Sequence, residues 1–463
     1  MLFMPLLIKN ARIITATDSF EADVFCEDRT ISRIAPALAA PPNTEIIDAT
    51  GCYLLPGFID PHVHIYLPFM GTFAKDTYES ASRAALIGGT TTLIEMICPA
   101  RSEEPLAAFE LWKSKAVDRS ACDFSFHMGV TRFDASVQSQ LKEITAAGLA
   151  SFKVFLAYKG ALGLEDAELF QTLKLAKQLG IIVAAHCENA DLIAARQAEL
   201  LAEGKRGPQW HELSRPESVE ALGVHHLLTF AAAHDTHCYI VHTSCEPAVR
   251  QAIHAKMNGA KVWIETLIQY LTLDKTYAEF PDFQGAKFVM SPPLRDKRNQ
   301  HFLWNNLANG LISTVATDHA PFDFASQKEM GRDDFTKIPN GIPSLEDRIN
   351  VLYTAGVTTG KLDIHRFVDC ASTQAAKIFG LYPRKGTIAV GSDADLVVYD
   401  PSYRGAISAK THHMAIDYNP FEGMPIQGRP KLVAVRGKVM VRDGKFVGDT
   451  RHGQFLKREP SHF

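Results

Sequence analysis

Between residues 56 and 385, short apolar runs alternate with longer amphipathic stretches, and this alternation limits the possible fold more than any other feature. Short apolar runs are typical of buried strands, and apolar residues at every third or fourth position are typical of helices. Eight apolar runs follow one another: GFIDPHVH, TTTLIEM, DFSFHMGV, SFKVFLAY, IIVAAHCEN, HCYIVHTS, KVWIETLIQYL and STVATDHAPF. Eight parallel strands with intervening helices predict a (β/α)8 TIM-type barrel.

The helical stretches carry end signals that support this pattern. Gly88 and Gly89 follow DTYESASRAALI, and Gly180 follows DAELFQTLKLAKQL, as expected of helix C-caps. An open doubly wound sheet is the alternative fold. It is disfavoured because no glycine-rich phosphate loop follows an early strand.

Both ends of the chain have a different character, with short β-rich runs separated by turns. Near the C-terminus, Asp443-Gly444 between apolar runs is a hairpin signal. We therefore expect one small β-sandwich domain formed from both termini. The predicted boundaries are 1–55 and 386–463 for the two parts of this domain and 56–385 for the barrel.

Composition excludes several classes of function. The chain has 463 residues with 48 Lys+Arg against 52 Asp+Glu, a formal net charge of -4 and no long block of like charge, so neither nucleic acid nor membrane is an expected partner. No apolar run is long enough to span a bilayer, and the N-terminus lacks the basic region of a signal peptide. The eight cysteines form no CxxC pair, which predicts reduced thiols in a cytoplasmic protein.

Polar residues at the ends of the predicted strands are the candidate functional groups. A single histidine in an apolar strand is commonly a hydrogen-bonded core residue, but six polar side chains at strand ends are harder to explain in that way. These are His62, His64, Lys153, His186, His242 and Asp318. The carboxyl ends of barrel strands are where such enzymes keep their active sites. Imidazole and carboxylate suit a divalent metal such as zinc, and this number of donors favours two ions.

Lys153 is the unusual member of this set, because an ammonium group would be repelled by metal ions. Burial there favours the neutral amine. A neutral amine can react with carbon dioxide to form a carbamate, whose two oxygens could bridge two metals. The alternative is a lysine that extends from the barrel rim into solvent.

Eight motifs, in order along nearly the whole chain, resemble those of the dihydropyrimidinase and D-hydantoinase family. They are GFIDPHVH, SFKVFLAYKG, AAHCEN, YIVHTS, FVMSPPLRDK, VATDHAPF, QKEMGRDDFTKIPNG and KGTIAVGSDADLVVYDP. The resemblance implies a barrel with a β-sandwich, two zinc ions per subunit and a homotetramer. It also implies hydrolytic ring opening of dihydropyrimidines or 5-substituted hydantoins to N-carbamoyl amino acids.

The family's site residues fall on matching positions of this chain. One metal would be held by His62, His64, Asp318 and carboxylated Lys153. The other would be held by the same carbamate with His186 and His242, and a hydroxide would bridge the two. By the same resemblance, Asp318 would also transfer the proton. Tyr158 would polarise the substrate carbonyl, and the backbone at Ser291 and Asn340 would hold the ring amide. The alternatives are a strand-end aromatic for Tyr158 and plain turns for Ser291 and Asn340.

The sequence departs from the family in the loop after the paired histidines. HIYLPFMGT stands where relatives commonly have HLDMPFGGT, so Tyr66 and Met70 add bulk. We expect these two side chains to line the pocket for the ring substituent and to alter selectivity. An allantoinase-type cyclic ureide hydrolase is the alternative enzyme, and a non-catalytic scaffolding relative is the alternative from another class.

Overall fold

The computed structural model describes residues 4–460, which form two large sheets and the helices around one of them. The strands are β1 (Leu6–Ile14), β2 (Ser19–Glu27), β3 (Thr30–Ala35), β4 (Glu45–Asp48), β5 (Tyr53–Pro56), β6 (Phe58–Val63), β7 (Pro68–Phe69), β8 (Thr72–Phe73), β9 (Thr90–Ile97), β10 (Asp123–Gly129), β11 (Ser151–Phe155), β12 (Ile182–His186), β13 (Cys238–Ile240), β14 (Val262–Leu267), β15 (Thr314–Ala316), β16 (Leu396–Ala406), β17 (Pro425–Val435), β18 (Lys438–Arg442) and β19 (Lys445–Phe446).

The α-helices are α1 (Tyr78–Ile87), α2 (Pro105–Ala116), α3 (Ala135–Ala146), α4 (Asp166–Leu179), α5 (Ala190–Ala202), α6 (Trp210–Ser214), α7 (Glu217–Ala232), α8 (Glu246–Met257), α9 (Ile268–Thr272), α10 (Arg298–Ala308), α11 (Arg348–Leu352), α12 (Ile364–Val368) and α13 (Gln374–Ile378). Short 3-10 turns lie at Lys275–Glu279, Gln284–Phe288, Lys328–Gly331 and Phe335–Lys337, and π-helical turns lie at Tyr353–Val357 and Asp369–Thr373.

Eight parallel strands form a nearly closed barrel. Their order is β6, β9, β10, β11, β12, β13, β14 and β15. The first and last strands meet where the backbone N–H of His64 donates to the carbonyl of His319 at 2.8 Å. Each of the eight apolar runs supplies one strand, so the predicted barrel is confirmed.

Helix α4 shows how the amphipathic stretches build the outer layer. Leu169, Leu173 and Ala176 recur at helical spacing and are buried against the barrel, whereas Gln171, Lys174 and Lys177 on the other face are exposed. The helix ends at Gly180, which has a φ of 67°. Glycine adopts this left-handed conformation without steric cost, so the predicted C-cap is confirmed.

Both termini contribute to one mixed sheet of nine strands. Its order is β19, β18, β17, β16, β5, β1, β2 and β3, with β4 paired to β1. The two halves join where β16 pairs antiparallel with β5, placing Leu396 opposite Pro56. This pairing confirms that the small domain is built from both ends of the chain.

The C-terminal segment covers the amino end of the barrel strands. The backbone of Phe124, at the start of β10, pairs with Gln454 and Leu456. The buried Arg458 donates from Nε to Oγ of Ser125 at 2.8 Å. The carboxyl ends of the strands lie at the opposite rim, where the candidate site is found.

Within the described residues, no helix combines the length and apolar character needed to cross a membrane. All eight cysteines are free thiols and all are buried.

Candidate active site

The six predicted metal-binding side chains lie at the carboxyl ends of five barrel strands. His62 lies within β6 with His64 just beyond it, Lys153 lies in β11, His186 ends β12, and His242 and Asp318 follow β13 and β15 by two residues. Parallel strands bring their carboxyl ends to one rim, so these positions share one end of the barrel. All six side chains are buried and line the same cavity.

The first cluster joins His62, His64 and Asp318. Nε2 of His62 and Nε2 of His64 each lie 3.0 Å from Oδ1 of Asp318. One donor atom from each residue lies within 4.8 Å of the others, which is close enough for one ion to contact all three. Nδ1 of His62 is already occupied, because it lies 2.7 Å from Oε1 of Glu265.

The second cluster joins His186 and His242. Nδ1 of His186 lies 3.0 Å from Nε2 of His242. The other nitrogen of His186 is 2.8 Å from Oε2 of Glu188. That contact orients the ring, so Nδ1 is the nitrogen left to face the cavity. A carboxylate behind a histidine is the usual arrangement around metal-binding imidazoles.

Lys153 has the electrostatic character expected of a neutral amine. Its side chain is 1% exposed, and burial lowers its pKa, although Asp318 and other nearby groups oppose the shift. Its Nζ lies 5.0 Å from the centre of the Phe155 ring, whose face attracts an ammonium and so also opposes the shift. The neutral form of the amine is therefore favoured relative to an exposed lysine.

The pKa values of the two histidines in the first cluster shift in opposite directions. Burial opposes protonation of His62, but Asp318 and Glu265 together raise its pKa to about 9. Burial lowers the pKa of His64 to about 4. Positive charge is thus favoured at His62, between two carboxylates.

These donors fit divalent cations. Nε2 of His62 is buried and, within the described residues, has no partner with hydrogen-bond geometry, although it points at the Asp318 carboxylate. A cation among His62, His64 and Asp318 would satisfy that nitrogen and the carboxylate charge together. Neutral imidazole and carboxylate are donors that zinc and similar divalent ions accept.

Tyr158, Ser291 and Asn340 line the same cavity as the metal-binding candidates. Burial raises the pKa of Tyr158, opposed by the charge of Arg215 and by hydrogen bonds with Ser291 and Asn340. The hydroxyl is therefore protonated near neutral pH and can donate a hydrogen bond. The predicted substrate-binding residues thus converge with the metal-binding candidates.

Three of the predicted site residues have left-handed backbone. The φ angles are 59° for Tyr158, 39° for His242 and 48° for Asp318. Such conformations cost non-glycine residues about 1–3 kcal/mol each and cluster at functional sites, because the surrounding structure must hold them there.

Three supporting residues were missed from the sequence. Glu265 contacts Nδ1 of His62, Glu188 contacts His186, and Arg215 donates to Glu188 from Nη1 at 2.6 Å. The signals available were a glutamate inside the apolar run KVWIETL and another directly after AAHC. The sequence does not reveal which histidine either glutamate contacts, since these contacts depend on how the strands meet in space.

The loop after the paired histidines differs from expectation. Tyr66 packs on the ring of Tyr78 at 5.8 Å between ring centres, and neither Tyr66 nor Met70 lines the cavity. Both residues have positive φ, so the chain turns at each of them after β6 ends. Leu67 and Phe69 face the cavity instead. The placement predicted for Tyr66 and Met70 is therefore wrong.

Residues 53–440, which are most of the chain, match the sequence model of the amidohydrolase family. The chain belongs to the amidohydrolase family. A D-hydantoinase of Geobacillus stearothermophilus is 47% identical to this amidohydrolase over 98% of the chain and 97% of the relative. A dihydropyrimidinase of Rattus norvegicus is 41% identical over 98% and 89%.

A solved structure supports the same assignment. A D-hydantoinase (dihydropyrimidinase) from Thermus sp. is 60% identical, with a TM-score of 0.97 over 99% of this chain and 100% of that one. This amidohydrolase is thus a member of the hydantoinase and dihydropyrimidinase group, as its motifs predicted. The prediction that it is a hydrolase of cyclic amides is confirmed.

Proposed function

We propose that this amidohydrolase opens the ring of dihydropyrimidines or 5-substituted hydantoins by hydrolysis, giving N-carbamoyl amino acids. The observation that carries the proposal is the convergence of two histidine clusters, Lys153 and the Tyr158 hydroxyl in one cavity. The names of the relatives support the same substrate class.

We propose that two divalent ions, with zinc the expected metal, occupy the two clusters. His62, His64 and Asp318 would hold one ion, and His186 and His242 the other. Lys153, carboxylated by carbon dioxide, would contribute one oxygen to each. When bound, the ions supply Lewis acidity and lower the pKa of a water molecule towards neutrality.

The remaining steps use the side chains of this chain. The Asp318 carboxylate accepts the proton of the attacking water and delivers it to the ring nitrogen that leaves. The Tyr158 hydroxyl donates to the carbonyl oxygen as negative charge develops on it. The backbone at Ser291 and Asn340 holds the ring amide, so the scissile carbon is presented to the attacking water.

The cavity wall favours this substrate class over allantoin. Leu67, Phe69, Phe155 and Leu162 line the cavity beside the polar groups. An apolar wall suits a hydrocarbon substituent on the ring. The ureido substituent of allantoin would lose hydrogen bonds to water there without replacing them.

A substrate panel tests the proposal directly. Purified protein is incubated with dihydrouracil, hydantoin, 5-phenylhydantoin and allantoin, and N-carbamoyl products are measured beside bound metal. We expect turnover of the dihydropyrimidine or hydantoins with two ions per chain. Turnover of allantoin alone would favour the ureide hydrolase, and absence of bound metal in active protein would contradict the two-metal site.

A homotetramer and a cytoplasmic location remain predictions from the family resemblance and from the cysteine pattern. Sedimentation of the purified protein would measure the oligomeric state.

A further inference from the structure

Lys328 is a buried lysine outside the metal clusters, in the 3-10 turn Lys328–Gly331. Its side chain is 0% exposed. Within the described residues, no carboxylate lies within ion-pair distance of its ammonium, and burial by itself lowers its pKa. Burying an ammonium without a counter-charge is costly, so its hydrogen bonds must offset the loss of hydration.

Three backbone carbonyls surround the Lys328 ammonium. Nζ donates to Val289 at 2.8 Å, to Pro339 at 2.6 Å and to Gly341 at 2.7 Å. An ammonium has three N–H donors, so these carbonyls use all of them. The lysine is thereby fully satisfied by backbone atoms alone.

The three carbonyls belong to the two segments that carry the proposed substrate-binding backbone. Val289 precedes Ser291 by two residues, and Pro339 and Gly341 flank Asn340. The segments also touch directly, since the N–H of Gly341 donates to the carbonyl of Val289 at 3.0 Å. The Lys328 side chain and this backbone hydrogen bond therefore hold the two segments together.

Gly341 shows how little freedom this junction has. Its φ is 148°, and a Cβ there would lie 2.6 Å from the carbonyl oxygen of Ala320, which lines the cavity. The segment is packed against the loop that follows the last barrel strand on one side and is held by Lys328 on the other. A shift of Asn340 would thus require these contacts to break.

We propose that Lys328 is a positioning residue for substrate: it joins the segments of Ser291 and Asn340 at the spacing needed to hold the ring amide. The proposal rests on the proposed function. Hydrogen bonds to the ring amide are made both before and during ring opening, so their loss weakens binding in both states. Misplacement of these segments should therefore raise KM more than it lowers kcat.

Lys328→Met tests this role, because methionine fills similar space without a donor. We expect KM for the best cyclic amide to rise at least about tenfold, with a smaller change in kcat and unchanged metal content. Hydrogen exchange should also accelerate at the amide of Gly341. Lys328→Gln, which keeps two N–H donors, should show a smaller rise in KM and serves as the test if the methionine variant does not fold.

Lys385→Met is the matched control. Lys385 is also buried, but its ammonium binds Asp123 and Asp395. This variant should lose thermal stability while keeping the wild-type KM and the wild-type exchange at Gly341. Wild-type KM or wild-type exchange in a folded Lys328→Met protein would overturn the positioning role. A wild-type enzyme inactive on every cyclic diamide would overturn the proposed function instead, and the exchange measurement would still decide whether Lys328 joins the two segments.

Discussion

Oε1 of Glu265 lies 2.7 Å from Nδ1 of His62, and the same oxygen accepts the backbone N–H of His242 at 2.8 Å. One buried carboxylate therefore contacts a proposed ligand of each metal cluster. It orients the His62 ring so that Nε2 faces Asp318, and it holds the His242 backbone in its left-handed conformation.

Removal of this carboxylate should weaken metal binding at both clusters. Glu265→Ala should lower metal affinity by about 10- to 100-fold, the usual effect of losing a carboxylate behind a metal-binding histidine. Glu265→Gln should lose less, because its amide oxygen can still accept both hydrogen bonds. Competition with a chelator of known affinity measures the change. Glu346→Gln, at a buried glutamate that contacts His413, is the control and should keep the wild-type metal affinity. Wild-type metal affinity in Glu265→Ala would contradict the role of Glu265 in orienting the metal-binding histidines.

Lys153→Ala should lose both metal and activity, because it removes the amine that we propose forms the bridging carbamate. A short carboxylic acid added with metal should restore part of the activity by occupying the space left by the lysine. Elemental analysis and a ring-opening assay, with and without propionate, measure the two effects. Lys385→Ala should show no rescue, and a fully active, metal-replete Lys153→Ala protein would exclude the carbamate.

Asp318→Asn should lower activity at least about 100-fold, because the amide cannot accept the proton of the attacking water. The pKa of Asp318 is held well below its usual range, since His62 and His64 outweigh the effect of burial. The wild-type carboxylate is therefore ionised at neutral pH. Rates compared at equal metal content separate proton transfer from metal binding. Normal turnover by the asparagine variant would refute the proton-transfer role.

Leu162→Ala should change selectivity between ring substituents. Leu162 lines the cavity, whereas Met70 does not. A methylene-sized change in an apolar pocket alters discrimination by about 1–3 kcal/mol, so the ratio of kcat/KM for bulky and small 5-substituted hydantoins should shift at least about tenfold. Met70→Gly is the control and should leave the ratio unchanged. A ratio that shifts in Met70→Gly but not in Leu162→Ala would instead indicate that Met70 lines the substituent pocket.

Asp347 should make stability depend on pH. Burial, and then the charge of Glu346, raises its pKa to about 7. An acid whose folded pKa exceeds its unfolded value of about 4 lowers stability progressively as pH rises from about 4 to the folded pKa. Asn in its place can still accept the 2.7 Å hydrogen bond from Asn419.

Asp347→Asn should therefore gain stability relative to wild type at pH 8 but not at pH 4.5. Thermal unfolding at the two pH values measures the difference, which should exceed about 2 °C. Asp282→Asn, at an exposed position, should show no such difference. An equal effect of Asp347→Asn at both pH values would show that its charge does not limit stability.

Local patterns in the sequence were enough to predict the barrel, the pairing of both termini in one small domain and the rim on which the candidate site lies. Strand period and helix spacing are properties of neighbouring residues, and strand ends in a parallel barrel share one rim. Tyr66 and Met70 lie in a loop beyond β6 and have left-handed backbone, so no strand period could predict which side chains face the cavity there.

The sequence by itself determined which residues could serve as metal donors, because imidazoles, a carboxylate and a lysine at strand ends are visible without coordinates. Only the tertiary structure decided which groups orient them. The contact between His62 and Glu265 spans 203 positions, and Lys328 joins carbonyls of two separate segments. Such contacts depend on how strands and loops meet in space, and backbone carbonyls, which every residue carries, leave no signal in the sequence.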